Sequence, residues 1–184
     1  IEGEADIVEE VLRIYGYDKL TSIALPLDQI NPQTALTPAL RRRNDLRRIL
    51  AARGMNEVIS WSFMSSYKLE YFYDLKDAIK VTNPISSDLD VMRPTIIPNI
   101  LDILRANNNR NFNDLSFFEI GNIFLDLSQN GQVPVITGAR MGKYAGKNIH
   151  SNERKFDIFD VKADFVALVE YCGLDFDKLQ ISRK

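Results

Sequence analysis

Short turns separate several of the strands that the sequence predicts, and this spacing limits the possible folds more than any other feature. Extended segments lie at 115–120, 123–127 and 133–141, with turns at 121–122 and 129–131 between them. Turns of about two to five residues join antiparallel neighbours, whereas parallel strands need a crossover of about a dozen residues or more. The sequence therefore predicts an α+β fold built on an antiparallel sheet flanked by helices.

The rest of the chain mixes helical and extended periods without regular alternation. Segment 57–63 alternates, with Ile59, Trp61 and Phe63 on one side, which predicts a half-buried strand. Further strands are predicted at 78–82 and 156–159, and helices at 5–16, 38–53, 98–105 and 163–171.

A stretch rich in proline and polar residues divides the chain. Residues 21–38 contain three prolines with Asn, Gln and Thr between them, and they show no regular apolar period. We therefore expect a domain boundary near Pro26, with one domain over 1–25 and another over 26–184.

The helix predicted at 38–53 has clear signals at both ends and an apolar stripe. Thr37 suits the N-cap, Pro38 suits the first helical position, and Gly54 stops the helix. The stripe predicts that one face packs against other apolar groups. Its members are Leu40, Leu46, Ile49 and Leu50.

The other faces of this helix are basic. Six arginines stand against a single acid, Asp45. They favour a solvated helix face, and contact with an RNA backbone or a protein partner is the alternative. The six are Arg41, Arg42, Arg43, Arg47, Arg48 and Arg53.

Three acids share one edge of the first helix. Asp6, Glu9 and Glu10 are spaced i, i+3 and i+4, which brings their carboxylates together on a helix. A hard cation such as Mg²⁺ prefers oxygen ligands and could bind there. Capping explains the same residues, with Asp6 as the cap and Glu9 in the capping-box position. Spacing alone favours the capping interpretation and leaves metal binding as the alternative.

Composition excludes several classes of site. The single cysteine, Cys172, cannot form an internal disulfide, and with one histidine, His150, the chain has no Cys/His set for structural zinc. This usage indicates a reducing cytoplasm. A formal net charge of −2 gives no general attraction to nucleic acid. No apolar run approaches the roughly 20 residues that span a bilayer, so no membrane association is expected.

Particular strings identify a family. Residues 6–20, DIVEEVLRIYGYDKL, closely resemble the string D-L-V-E-E-V-x-R-x-Y-G-Y-x-x-I/L of bacterial phenylalanyl-tRNA synthetase beta subunits. Four later strings look like the same family in the same order, so the resemblance covers nearly the whole chain. They are NPISS at 83–87, VMRPT at 91–95, FEIGNIF at 118–124 and FDVKAD at 159–164.

The resemblance implies an architecture and a set of partners. The opening string is similar to the end of a DNA-binding-like domain, and the remainder to a catalytic-like module with the fold of class II aminoacyl-tRNA synthetases. In such a family two alpha and two beta subunits form a tetramer, and the alpha subunit binds ATP and attaches phenylalanine to tRNA(Phe). The chain begins at Ile1 without Met, so we expect a segment of a longer beta subunit.

The resemblance also assigns residues. Asp6, Glu9 and Glu10 match acids that bind Mg²⁺ in the family, with a further aspartate expected upstream of Ile1. The helix at 38–53, followed by the strand at 57–63, occupies the place of the dimer-forming class II motif, which implies a core or subunit-interface role for the apolar stripe of the helix. That stripe is Leu40, Leu46, Ile49 and Leu50.

Two departures from class II patterns predict that the chain is not catalytic. In the L-R-P-T-x-E pattern, Ile97 stands where active enzymes place an acid for the substrate ammonium group. In the I-G-x-x-F-R pattern, Leu125 replaces the arginine that binds the ATP α-phosphate. The sequence favours a non-catalytic assembly module. The alternatives are an independent RNA-binding module that uses the arginine-rich helix and an active class II ligase relative.

Overall fold

The computed structural model divides the chain into two compact units. Ile1–Ala35 forms one unit and Leu36–Lys184 the other. The residues flanking Pro26 lie outside the described part, so the boundary expected there stays a prediction. The described residues are 3–24, 26, 35–145, 149–150 and 152–180.

In its described residues the first unit contains one amphipathic helix. The predicted helix is confirmed as α1, Glu4–Tyr15, and a single 3₁₀ turn follows at Tyr17–Lys19. Helix α1 ends at Gly16. The φ of Gly16 is +109°, a conformation that favours glycine, and its N–H donates to the Leu12 carbonyl at 2.8 Å. The apolar side chains of α1 remain largely exposed in the described chain, with Ile14 the most exposed of them.

The second unit combines four helices and seven strands in the described residues. The helices are α2 Pro38–Ala52, α3 Ser66–Leu69, α4 Ile97–Asn108 and α5 Ile158–Tyr171. The strands are β1 Asn56–Glu57, β2 Phe63–Met64, β3 Val91–Met92, β4 Leu115–Phe124, β5 Gln132–Met141, β6 Lys143–Ala145 and β7 Arg154–Lys155.

The central sheet has the order β1-β4-β5. Strands β4 and β5 are antiparallel over ten residue pairs, from Leu115 opposite Met141 to Phe124 opposite Gln132. The predicted antiparallel arrangement is therefore confirmed for this pair, while β1 adds a short parallel edge. The predicted turn at 121–122 is wrong, since β4 runs through it without a break; the turn at 129–131 is confirmed as a 3₁₀ turn.

Helices cover the sheet on both sides because β4 alternates apolar residues to both faces. Phe118 and Ile120 pack with Leu46 and Leu50 of α2, and Leu168 of α5 joins this cluster. Side chains of opposite parity in β4 pack on α4. That second cluster contains Ile96, Ile100, Leu104 and Leu115, with Phe117 and Ile123 against it.

The strand predicted at 57–63 is wrong. Strand β1 ends at Glu57 and β2 begins at Phe63, so 58–62 has no strand assignment. Ile59 and Trp61, expected to be half-buried, are 90% and 70% exposed. The alternating pattern does not correspond to a strand here, because hydrogen bonds from other segments fix the backbone of 58–62 in a different conformation.

Two other short strand predictions also need correction. Segment 156–159 enters a helix, because Asp157 caps α5 by accepting the N–H groups of Phe159 at 2.8 Å and Asp160 at 3.2 Å. In 78–82 only Lys80 forms a β-bridge, with Val91. The predicted helices at 38–53, 98–105 and 163–171 are confirmed as α2, α4 and the greater part of α5. Within the described residues no helix is both long and apolar enough to cross a membrane.

Candidate functional site

A buried ion pair lies at the centre of the second unit. Arg93, directly after β3, donates from Nη1 to Oε1 of Glu119 on β4 at 2.7 Å, and each side chain is only 3% exposed. Removing two charges from water is costly unless the remaining donors and acceptors are satisfied. Arg93 Nε donates to the Asn122 carbonyl at 2.9 Å, and the other Glu119 oxygen accepts the Ser60 hydroxyl at 2.6 Å.

Gly121 has no side chain, and this leaves space for the Arg93–Glu119 pair. A Cβ at Gly121 would overlap the Arg93 guanidinium and stand 3.0 Å from Glu119 Oε1. The glycine in the middle of β4 is therefore explained by the close approach of a charged side chain, not by a turn.

The buried pair fixes the backbone of residues 58–62, which we call the anchored segment. The Ser60 N–H donates to Glu119 Oε2 at 3.3 Å, and the Arg93 N–H donates to the Ser62 carbonyl at 2.9 Å. The Trp61 carbonyl accepts from Arg93 Nη1 at 3.4 Å and from Asn99 Nδ2 at 3.3 Å. An ordered backbone thus presents two large apolar side chains to the outside.

Ile59 and Trp61 are those two side chains. Tryptophan is enriched among residues that dominate binding energy at protein interfaces, and a rigid backbone lowers the entropy cost of binding. The anchored segment follows α2 and β1 directly, so it lies within the stretch that the class II resemblance assigned to subunit association.

The apolar stripe of α2 separates into buried and accessible members. Leu46 and Leu50 belong to the core cluster against β4, and Ile49 is partly buried. Leu40 is 44% exposed and lines a groove of about 540 Å³ between α2 and strands β4 and β5.

Four of the six arginines in the predicted basic helix contact groups of the same unit. Arg43 donates to the Ile120 carbonyl at 2.9 Å, and Arg47 pairs with Glu57 at 2.6 Å. The other two bind acids, Arg48 to Asp45 at 3.4 Å and Arg53 to Asp164 at 2.6 Å. These intramolecular contacts do not favour an RNA-binding role for the helix.

A second charged cluster joins α2, β5 and α5. Asp164 accepts from Arg140 Nε and Arg53 Nε, both at 2.6 Å, and Arg140 Nη2 also donates to the Arg53 carbonyl at 2.9 Å. Burial disfavours the charged form of Asp164, but hydrogen bonds from the two guanidinium groups outweigh it, and the pKa of Asp164 lies below its ordinary value. The cluster therefore links the end of α2 to α5.

Asp6 and Glu10 contact groups within α1 or at its cap. The helix begins at Glu4, so Asp6 is its third residue and accepts the Gly3 N–H at 3.2 Å; the expected capping role of Asp6 with Glu9 as the box residue is wrong. Glu10 accepts from Arg13 at 2.7 Å. Within the described ranges no three acids, histidines or cysteines form a group able to hold a metal ion. The carboxylates are chemically suitable for Mg²⁺, but these three do not form a complete site.

The two positions that depart from class II patterns are both partly exposed. Ile97 opens α4 with its side chain 45% exposed, and Leu125 follows the end of β4 with its side chain 43% exposed. Neither supplies a charge or a hydrogen-bond donor. The nearby guanidinium of Arg93 is already engaged by Glu119 and the Asn122 carbonyl.

Sequence reasoning missed the most buried polar residues of the unit. Arg93 and Glu119 were present in the quoted strings VMRPT and FEIGNIF, but no local pattern pairs residues 26 positions apart. Charged residues within otherwise apolar segments were the available signal, because Arg and Glu are almost never fully buried unless paired.

Comparison with known proteins gives a consistent result. A family model described as the phenylalanyl tRNA synthetase beta chain CLM domain matches residues 24–184. A phenylalanine–tRNA ligase beta subunit from Rickettsia bellii is 43% identical over 180 residues, 97% of this chain and 20% of that protein. One from Rhodospirillum rubrum is 40% identical over 182 residues, 99% of this chain and 23% of that protein. The chain spans about a fifth of the length of these curated relatives.

The fold is also found among solved structures. A pyrrolysyl tRNA synthetase from Desulfitobacterium hafniense superposes with a TM-score of 0.55 at 14% identity, covering 75% of this chain and 48% of that one. A second structure of that synthetase gives a TM-score of 0.55 over 74% of this chain and 48% of the other. At this identity the likeness concerns the fold alone.

Proposed function

The chain belongs to the family of phenylalanine–tRNA ligase beta subunits, and from this premise we propose that it is a non-catalytic, class II-like module that supports assembly with the alpha subunit. The alpha subunit then binds ATP and attaches phenylalanine to tRNA(Phe) in a cytoplasmic tetramer of two alpha and two beta subunits. The domain at 26–184 carries the association surface, and 1–25 is the end of a DNA-binding-like domain.

One observation carries the association role. Ile59 and Trp61 are 90% and 70% exposed on a backbone that the buried Arg93–Glu119 pair holds in place. Exposed apolar side chains at fixed positions are costly in water and favourable in a protein interface. Of the α2 stripe, Leu40 is 44% exposed and is also proposed as an interface residue, whereas Leu46 and Leu50 belong to the core cluster against β4.

The non-catalytic part of the proposal is supported by the chemistry of the candidate site. Class II catalysis needs an arginine on the ATP α-phosphate, and the corresponding Leu125 has no donor. Arg93 is the buried arginine of the region, and its role is structural because its guanidinium contacts Glu119, Ser60 and the Asn122 carbonyl.

We further propose that Asp6, Glu9 and Glu10 contribute to a Mg²⁺ site completed by groups outside the described residues. The ion would replace the contact of Glu10 with Arg13. Calorimetric titration of Mg²⁺ into the assembled ligase tests this, with Glu9→Gln as the variant and Glu70→Gln, an acid outside α1, as the control. Reduced Mg²⁺ affinity in Glu9→Gln alone supports the site, and equal affinity in both variants contradicts it.

Size-exclusion chromatography with light scattering tests the association role. This chain is mixed with its cognate alpha subunit, and each protein is also run alone. A new species of the summed mass supports the proposal. A mixture that elutes as two separate proteins contradicts association by this module alone.

The same preparation tests the catalytic alternative. Phenylalanine-dependent exchange between ATP and pyrophosphate is measured for this chain, for the alpha subunit and for the mixture. Exchange by this chain alone would overturn the non-catalytic assignment, and its absence from this chain with activity in the mixture supports it.

A further inference from the structure

A cavity of about 260 Å³ lies beside the anchored segment, outside the buried ion pair. It is bounded by the anchored segment and β2, by α3, by the 3₁₀ turn at Ser87–Leu89, and by α4. Its size is slightly below the roughly 300–1,000 Å³ of typical small-molecule sites, which fits a ligand of fragment size. The lining residues used below are Trp61, Lys68, Asp88, Asn99, Asp102 and Ile103.

The lining carries a net negative charge. Lys68 Nζ pairs with Asp102 at 2.6 Å, and Arg105, which lies outside the lining, pairs with the same carboxylate at 3.1 Å, so the charge of Asp102 is already compensated. Asp88 also lines the cavity and adds a second carboxylate. Among the described residues no base pairs with Asp88, and a carboxylate without a counter-charge attracts a cation in preference to an anion.

Asn99 supplies an unused acceptor. Its Nδ2 donates to the Trp61 carbonyl at 3.3 Å, which fixes the orientation of the amide. Its Oδ1 is buried and accepts no hydrogen bond from the described residues. A buried carbonyl oxygen of this kind is rare in native proteins and calls for a donor. The ligand should therefore carry N–H groups.

We propose that this cavity binds a small organic cation, a protonated primary amine on an aromatic or aliphatic body. The ammonium group donates to Asn99 Oδ1 and is attracted by the Asp88 carboxylate. The apolar body packs between Ile103 and the indole of Trp61, and an aromatic face near a cation adds attraction. This site requires only groups of this chain, and it shares Trp61 with the association surface proposed above, so amine binding is measured on the chain without the alpha subunit.

Trp61 makes the site directly observable, because it is the only tryptophan in the chain. The chain is titrated with phenethylammonium while its tryptophan fluorescence is recorded, and phenethyl alcohol serves as the uncharged probe of the same shape. We expect a saturable change with the amine, and at least tenfold weaker binding of the alcohol. Equal responses to both probes, or no saturation with the amine, would overturn the proposal.

Substitutions at Asn99 give two results of opposite sign. Asn99→Leu removes the acceptor and should weaken amine binding at least tenfold, while Asn99→Asp adds a negative charge and should strengthen it severalfold. Asn130→Asp adds the same charge in the exposed turn between β4 and β5 and should leave the affinity unchanged. Unaltered affinity in Asn99→Asp, with the fold intact by circular dichroism, contradicts the site even where Asn99→Leu unfolds.

Discussion

The Arg93 guanidinium donates to the Glu119 carboxylate at 2.7 Å with both side chains almost completely buried. The pair joins the residue after β3 to the middle of β4, and its remaining hydrogen bonds hold the anchored segment. A structural contact inside the unit thus determines which apolar side chains face outward. The core and the proposed association surface are therefore coupled through one ion pair.

Breaking this pair should be strongly destabilising. Glu119→Gln keeps the shape of the side chain but leaves the Arg93 charge buried without a counter-charge, and we expect a loss of about 3–5 kcal/mol in the free energy of unfolding. Urea denaturation followed by Trp61 fluorescence measures it.

An apolar pair provides the control for that loss. Replacing both residues, Arg93→Met with Glu119→Leu, removes the uncompensated charge and should recover much of the stability. A double variant as unstable as Glu119→Gln would show that packing, and not the unpaired charge, accounts for the loss.

Gly121→Ala should disturb the same region by occupying space. The added Cβ meets the Arg93 guanidinium, and overpacking of this kind costs about 1–3 kcal/mol. Thermal unfolding measures the change, with Asn122→Ala as the matched control because the Asn122 side chain is exposed at the next position of β4. Equal melting temperatures for both variants would contradict the close-approach explanation.

The sequence correctly predicted the elements in which capping or turn residues and the pattern of buried apolar residues indicate the same structure. Helix α2 has Thr37 as an N-cap that accepts the Leu40 N–H at 3.3 Å, and strand β5 was predicted to within one residue. The helix capped by Asp157 was predicted too short, because Phe156 and Phe159 favour strands while the capping side chain determines the actual start.

Long-range contacts account for what the sequence could not predict. Ile59 and Trp61 alternate as in a strand, yet they are exposed because the groups that bind the segment come from residues 93, 99 and 119. The arginine-rich helix looked like one basic surface, but four of its arginines bind groups within the unit. Only the folded chain reveals these partners.

Trp61→Ala should separate association from stability. Since the side chain is 70% exposed, the free energy of unfolding should change by no more than about 0.5 kcal/mol. The affinity for the alpha subunit should fall at least about 30-fold, or about 2 kcal/mol, if Trp61 is an interface anchor. Interferometry with immobilised alpha subunit measures the affinity, and denaturation is followed by circular dichroism.

Leu127→Ala is the matched control for that experiment. Leu127 is 90% exposed in the loop after β4, outside the anchored segment, so this variant should bind the alpha subunit like the parent chain. Equal affinities of Trp61→Ala and Leu127→Ala for the alpha subunit would show that Trp61 does not contribute to the interface.

Asp164 should make the stability of the second unit dependent on pH. Its pKa in the folded chain lies below the ordinary value of about 3.9, so its ionised form stabilises the fold above that pH and the contribution is lost as pH falls through the lower, folded pKa. Asp164→Asn should therefore reduce stability at pH 7, with a difference from the parent that narrows below about pH 4. Urea unfolding across pH 7 to 2 measures this, with the exposed Asp77→Asn as control. A difference that stays constant over the whole range would mean that packing, and not the charge held between Arg140 and Arg53, is the contribution of Asp164.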